Sequence, residues 1–172
     1  MLLHMLVAAY VERRIEMKYF TPTLWEKIND LDEETRDKAI KEWGTRYQEY
    51  EEQFSRVSKK LPSEFLKVYK ECSCFHDYRI KSILYQDARE STVTISLGTR
   101  SEAIDLAFCD VQHFSVNILD KTPCIMGQLS WGYCEFEADL DNAISINILC
   151  DMKNEIKIVF KSIMVGQKNA LS

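Results

Sequence analysis

The chain has 172 residues, of which 46% are apolar and 28% charged, and its net charge is −5. That length fits one domain or two tightly packed halves, and the composition is ordinary for a globular chain. The acidic balance argues against a general nucleic-acid binder, which carries a basic footprint. It suits a cytosolic enzyme equally with a protein that meets a basic partner.

Residues 1–11 are apolar apart from His4 and Tyr10, but the run is far shorter than the roughly 20 residues of a membrane span. Arg13 and Arg14 follow the run instead of preceding it, which is the wrong order for an export signal. Glu12-Arg13-Arg14 can be encoded as GAA-AGG-AGG, a purine-rich ribosome-binding sequence a short way before Met17. On that reading residues 1–16 are a translated leader, disordered or loosely helical, and the protein proper opens at Met17.

Residues 17–75 read as a helical half. Thr21 before Pro22 is a helix N-cap with proline at the first helical position. Asp30-Leu31-Asp32-Glu33 offers a second start, an acidic cap with a glutamate three residues on, a variant of the capping box. Ile40, Trp43, Tyr47, Tyr50, Phe54, Val57 and Leu61 then recur at alternating spacings of three and four. That is one apolar seam on a helix of about 30 residues. Two uses of the seam stand open: packing against the protein's own sheet or helices, and zipping copies into an oligomer. Gly44 is a weak point within it.

From His76 the period changes to two. Strands are expected at 78–85, 90–97, 103–111, 113–118, 129–139, 143–150 and 155–163, with short connections that suggest antiparallel pairing. Helices first and strands after give an α+β fold: N-terminal helices including one long amphipathic helix, then an antiparallel β-meander or partly closed barrel over 76–165. Residues 166–172 form a polar tail.

Met17-Lys18-Tyr19-Phe20-Thr21, with Leu24 and Trp25 after it and His76-Asp77 opening the β-rich half, resembles an uncharacterised family of small bacterial proteins, mostly from Firmicutes. The resemblance implies a charged helical front half and a β-rich back half, and it supplies no activity and no catalytic residues.

Six cysteines, at 72, 74, 109, 124, 134 and 150, read as free thiols in a chain with length enough for a real core. Cys72, Cys74 and His76 alternate, so in an extended segment all three face one way and could bind zinc, with Cys109 or His113 as a distant fourth ligand. The Cys-x-Cys spacing is tighter than the usual zinc pattern. The plain alternative is a helix-to-strand junction with half-buried thiols. His76 and Asp77 form a candidate polar site: an acid–base pair, or a turn in which Asp77 redirects the chain.

Glu135, Glu137, Asp139 and Asp141 also alternate. In a continuous strand they share one face with Trp131 and Tyr133 and form an acidic surface for a basic protein partner or a divalent cation, or simply a solvated sheet face. No glycine-rich phosphate loop or Gly-x-Ser-x-Gly elbow occurs. The sequence therefore favours a non-enzymatic, immunity-like or regulatory interaction module. A metal-binding or hydrolytic enzyme centred on Cys72, Cys74 and His76, and a structural oligomer through the Ile40 to Leu61 seam, are the alternatives.

Overall fold

The computed structural model describes residues 17–100, 102–118, 129–150, 154–166 and 169–170. The expected leader, Cys124 and most of the expected tail lie outside the described residues; the described part of that tail is not free, because Asn169–Ala170 pairs with Glu102–Ala103 as an added strand. In chain order the elements are α1 (Pro22–Ile28), α2 (Glu33–Val57), α3 (Ser63–Glu71), then strands β1 (Arg79–Gln86), β2 (Thr92–Gly98), β3 (Glu102–Cys109), β4 (His113–Asn117), β5 (Trp131–Ala138), β6 (Ile144–Cys150), β7 (Asn154–Phe160), β8 (Ser162–Val165) and β9 (Asn169–Ala170). The fold is α+β, helices first, as the change of period indicates.

The first two helices start where their cap chemistry puts them. The Thr21 hydroxyl accepts from the Leu24 amide at 3.2 Å with Pro22 at the first helical position, and the Asp32 carboxylate accepts from the Thr35 amide at 2.9 Å. The α2 helix runs 25 residues and tightens into a three-residue 3-10 turn before Pro62.

The strands form two antiparallel sheets, β1-β2-β3-β8 with β9 against β3, and β4-β7-β6-β5. They do not close a barrel. A single expected strand, 155–163, is two: β7 and β8 belong to different sheets and part at Lys161. The break lies opposite a similar one between β3 and β4. Between the pairs Cys109↔Ser162 and His113↔Val159 stand three residues on one side and two on the other. Asp110, at φ 53°, takes up that extra residue. The resulting bulge bends the ribbon from one sheet into the other. At the opposite corner β1 meets β5, where Ile80 donates to the Leu129 carbonyl at 2.8 Å and Trp131 to the Tyr78 carbonyl at 2.8 Å.

Strict alternation fills the space between the sheets. Val93, Ile95 and Leu97 of β2, Ile104, Leu106 and Phe108 of β3, and Ile144, Ile146 and Ile148 of β6 are all buried there. Strand β6 is buried on both faces: its other side, with Asn147 and Leu149, pairs with β5 where the helical layer sits. The third layer is α2 and the Met17–Phe20 segment, laid across β5.

The seam of α2 explains that placement. Tyr50, Val57 and Leu61 are buried, and Phe54 packs on Phe136 with ring centroids 5.7 Å apart. The helix also caps the backbone of β5, an edge strand. Tyr50 Oη accepts from the Phe136 amide at 3.0 Å, and Gln53 Nε2 donates to the Phe136 carbonyl at 3.2 Å. An open sheet edge is thereby covered by side chains. The C-terminal part of the seam packs on the protein's own sheet, while Ile40 and Tyr47 at its N-terminal part stay 51% and 48% exposed.

Candidate functional site

The two regions that sequence reading treats as separate, the Cys72–Asp77 junction and the acidic run of β5, lie side by side. The Asp77 amide donates to the Trp131 carbonyl at 2.9 Å, and the His76 ring stands edge-on to Tyr133 with centroids 4.7 Å apart.

The junction is not extended. Ser73, Cys74 and Phe75 have φ of 49°, 58° and 61°, and Asp77 follows at 66°. Left-handed backbone costs an L-residue roughly 1–2 kcal/mol, so consecutive non-glycine residues in it must be held by their surroundings. Phe75 does this. It is fully buried among Phe65, Tyr69, Tyr78 and Trp131, and its amide donates to the Cys72 carbonyl at 2.8 Å.

The expected convergence of Cys72, Cys74 and His76 is corrected by this turn. Cys72 points into the core and Cys74 is exposed. Cys109 lies at the end of β3, and His113, on β4, has Nε2 3.4 Å from the Ser115 hydroxyl. Among the described residues no three His, Cys, Asp or Glu side chains gather as a metal centre. Although Cys74 is exposed as a residue, protein packed around its sulfur raises the thiol pKa, away from the thiolate form.

His76 and Asp77 do pair, Nδ1 to Oδ2 at 3.1 Å, with the imidazole 35% and the carboxylate 85% exposed. His76 Nε2 is shielded from solvent and has no hydrogen-bond partner among the described residues. Its neighbour Tyr133 has a phenol raised first by burial and then by the Asp77 charge.

The acidic ladder is corrected more sharply. A register shift between Trp131 and Tyr133 turns Trp131 into the core, fully buried against Phe75, so it does not share the Tyr133 face. Gly132 stands at that shift because a Cβ there would lie 2.6 Å from both the Leu149 carbonyl oxygen and the Trp25 ring. Glu135 is buried too. Its carboxylate accepts from three consecutive amides, Lys18 at 2.8 Å and Tyr19 and Phe20 at 2.7 Å each. It holds the Met17–Phe20 strap across β5. Burial raises its pKa, and the three amides oppose that rise. Glu137 receives Gln53 Nε2 at 3.3 Å. Asp139 and Asp141 fall past the strand, in a turn where the Asp139 amide donates to the Ala143 carbonyl at 2.9 Å and Asp141 has φ 55°. The face expected to be solvated is the one that α2 covers.

What reaches solvent here is aromatic. Tyr133 packs against Trp43 at 4.5 Å and Trp25 at 5.0 Å, and Phe20 links Trp43 at 5.0 Å to Tyr47 at 6.4 Å between centroids. Trp25, Trp43 and Tyr133 are half-buried, and Tyr47 and Cys74 extend the surface outward. Glu51, one helical turn from Tyr47, and Asp77, beside Tyr133, put negative charge on its rim. Sequence reading assigns Trp43 and Tyr47 to the seam and leaves Trp25 in a short helix. The signal for a surface was the seam's length, greater than the strand it could cover.

On another side of α2 an open hollow of about 500 Å³ is lined by Lys18, Tyr19, Glu42, Thr45, Arg46 and Glu49. Its cations are engaged: Arg46 with Glu42 at 2.6 Å and with the Lys18 carbonyl at 2.9 Å, and Lys18 over the Tyr19 ring. No helix among the described residues is long and apolar enough to cross a membrane. Comparison with protein-family models, curated proteins and solved structures finds no match to the chain.

Proposed function

We propose that this protein is a cytoplasmic, non-enzymatic interaction module of the immunity-like or regulatory kind. Its binding surface is the aromatic cluster of Trp25, Trp43, Tyr47 and Tyr133 with His76 and Asp77, and it takes a basic protein partner. The observation that carries the reading is the half-exposure of this connected cluster. Trp and Tyr supply much of the energy of protein interfaces because they bury large area at little entropic cost. The exposed Asp77 carboxylate and Glu51 favour a cation at the rim.

One feature supports a hydrolytic reading instead: His76, steered by Asp77 through Nδ1, leaves Nε2 for a proton. The nearby Cys74 thiol is shifted the wrong way for a nucleophile, so the binding reading is preferred.

The test is capture from native extract at low ionic strength, where surface charge acts most strongly. Wild type and a variant of the exposed β8 residue Met164→Ser should retain the same partner, and Tyr47→Ala with Asp77→Lys should lose it. A partner held equally by all three would refute the surface.

A further inference from the structure

Gly44 stands near the middle of α2, and among the described residues a Cβ there would meet nothing within 4 Å. Glycine inside a helix costs about 0.5–1 kcal/mol relative to alanine. The fold therefore gains nothing from this glycine that alanine would not improve. At about 100° per residue, Gly44 lies within about 40° of Ile40, on the solvent side of the seam and next to Tyr47. The same strip holds Glu33, Glu51 and Asp37, and the nearest cations, Arg36 and Lys41, flank it on either side. The helix thus presents a notch without a side chain, two exposed apolar walls at Ile40 and Tyr47, and an acidic margin.

We infer that this notch seats a helix of the partner, one that carries Lys or Arg beside a narrow apolar ridge. This deepens the binding reading above and rests on it. A small residue at a helix crossing lets two backbones approach closely, and the acidic margin selects a basic flank by charge complementarity. The charges also argue against a second copy as the occupant. Asp37 and Glu51 lie seven residues either side of Gly44. An antiparallel pair of α2 helices crossing there sets Asp37 against Glu51, and a parallel pair sets each acid against itself. Both juxtapositions repel.

The experiment is site-specific photo-crosslinking of the full chain in its native cells, with benzoylphenylalanine at Gln48, at Cys74 or at Glu49. Gln48 lies one turn beyond the notch, Cys74 on the aromatic surface, and Glu49 on the opposite side of the helix. Adducts from Gln48 and Cys74 to one protein, through a Lys- or Arg-rich peptide at Gln48, with none from Glu49, are expected. Gly44→Leu should cut the Gln48 adduct by at least about tenfold, the effect of losing one strong interface contact, while the melting temperature holds. Asp37→Lys with Glu51→Lys should cut it as well, and it does so without adding bulk at the notch. An adduct from Cys74 alone, or a Gln48 adduct indifferent to both variants, overturns the helix seat and leaves the binding surface standing. Adducts to a second copy or to residues 1–16 of the same chain overturn the seat too. Absence of adducts at both Gln48 and Cys74 overturns seat and surface together.

Discussion

The inner and outer edges of α2 carry the same residue types and meet different fates. On the inner edge Tyr50 is buried with its hydroxyl on the β5 backbone, and Phe54 and Val57 pack beside it. On the outer edge, about one and three turns before Tyr50, Tyr47 and Ile40 are about half exposed. Hydrophobicity alone does not separate them. The difference is what lies opposite: an edge strand with an unpaired amide and carbonyl in one case, and solvent in the other. A seam at helical spacing therefore marks a buried face only for the length of its counterpart.

The largest expected effect tests the strap that fixes the helix to β5. Glu135→Ala leaves three amides without their acceptor and should cost about 4 kcal/mol of unfolding free energy, read from urea denaturation. Glu135→Gln keeps a carbonyl oxygen and should cost less. The two also differ in pH dependence. The folded-state pKa of Glu135 is raised, so over that window the native state holds more protons than the unfolded chain. Its contribution is fully present below the ordinary carboxylate value and is lost as pH rises through the raised one. The stability of wild type relative to Glu135→Gln should therefore fall with rising pH across that window. A flat or rising difference would mean that the amides outweigh burial.

Tyr50→Ala removes a buried ring and the acceptor for Phe136, with an expected cost of about 3 kcal/mol. Tyr47→Ala, on the same helix three residues away, should cost less than about 1 kcal/mol. Equal costs would place Tyr47 in the core and withdraw it from the binding surface. Gly132→Ala should fall between these, at about 2 kcal/mol, because the added methyl meets the Leu149 carbonyl oxygen and the Trp25 ring.

The same contrast explains what was legible in the sequence. Alternation in Thr92–Gly98 and the seam of α2 report local periodicity, and both elements form where they are expected. The acidic run of β5 fails for two reasons that period cannot show. A bulge beside Gly132 reverses the facing of Trp131. The amides that bury Glu135 come from residues 115 to 117 positions earlier in the chain. The Cys72–Asp77 junction fails differently. Its left-handed turn lacks glycine and is held by the burial of Phe75, a tertiary cause with no local signal. Alternation was thus a fair guide to where strands lie, though it merged β7 with β8 and missed β9, and a poor guide to which side chains face water.

The smallest effect is the most discriminating, because it should have the opposite sign. Gly44→Ala fills open space on the outer edge of α2. Among the described residues nothing opposes that methyl, and the change removes the conformational cost of glycine within a helix. Stability should rise by about 0.5–1 kcal/mol, which in a chain of this size corresponds to a melting temperature higher by roughly 1–4 °C. A loss of stability would show that the fold itself needs glycine there, and the case for a seat would lapse. A gain would leave glycine as a cost that the isolated protein carries for no internal reason. Reading that gain together with the Tyr47→Ala result separates the two edges of the helix: one optimised for the fold, the other held below its optimum where a partner helix would lie.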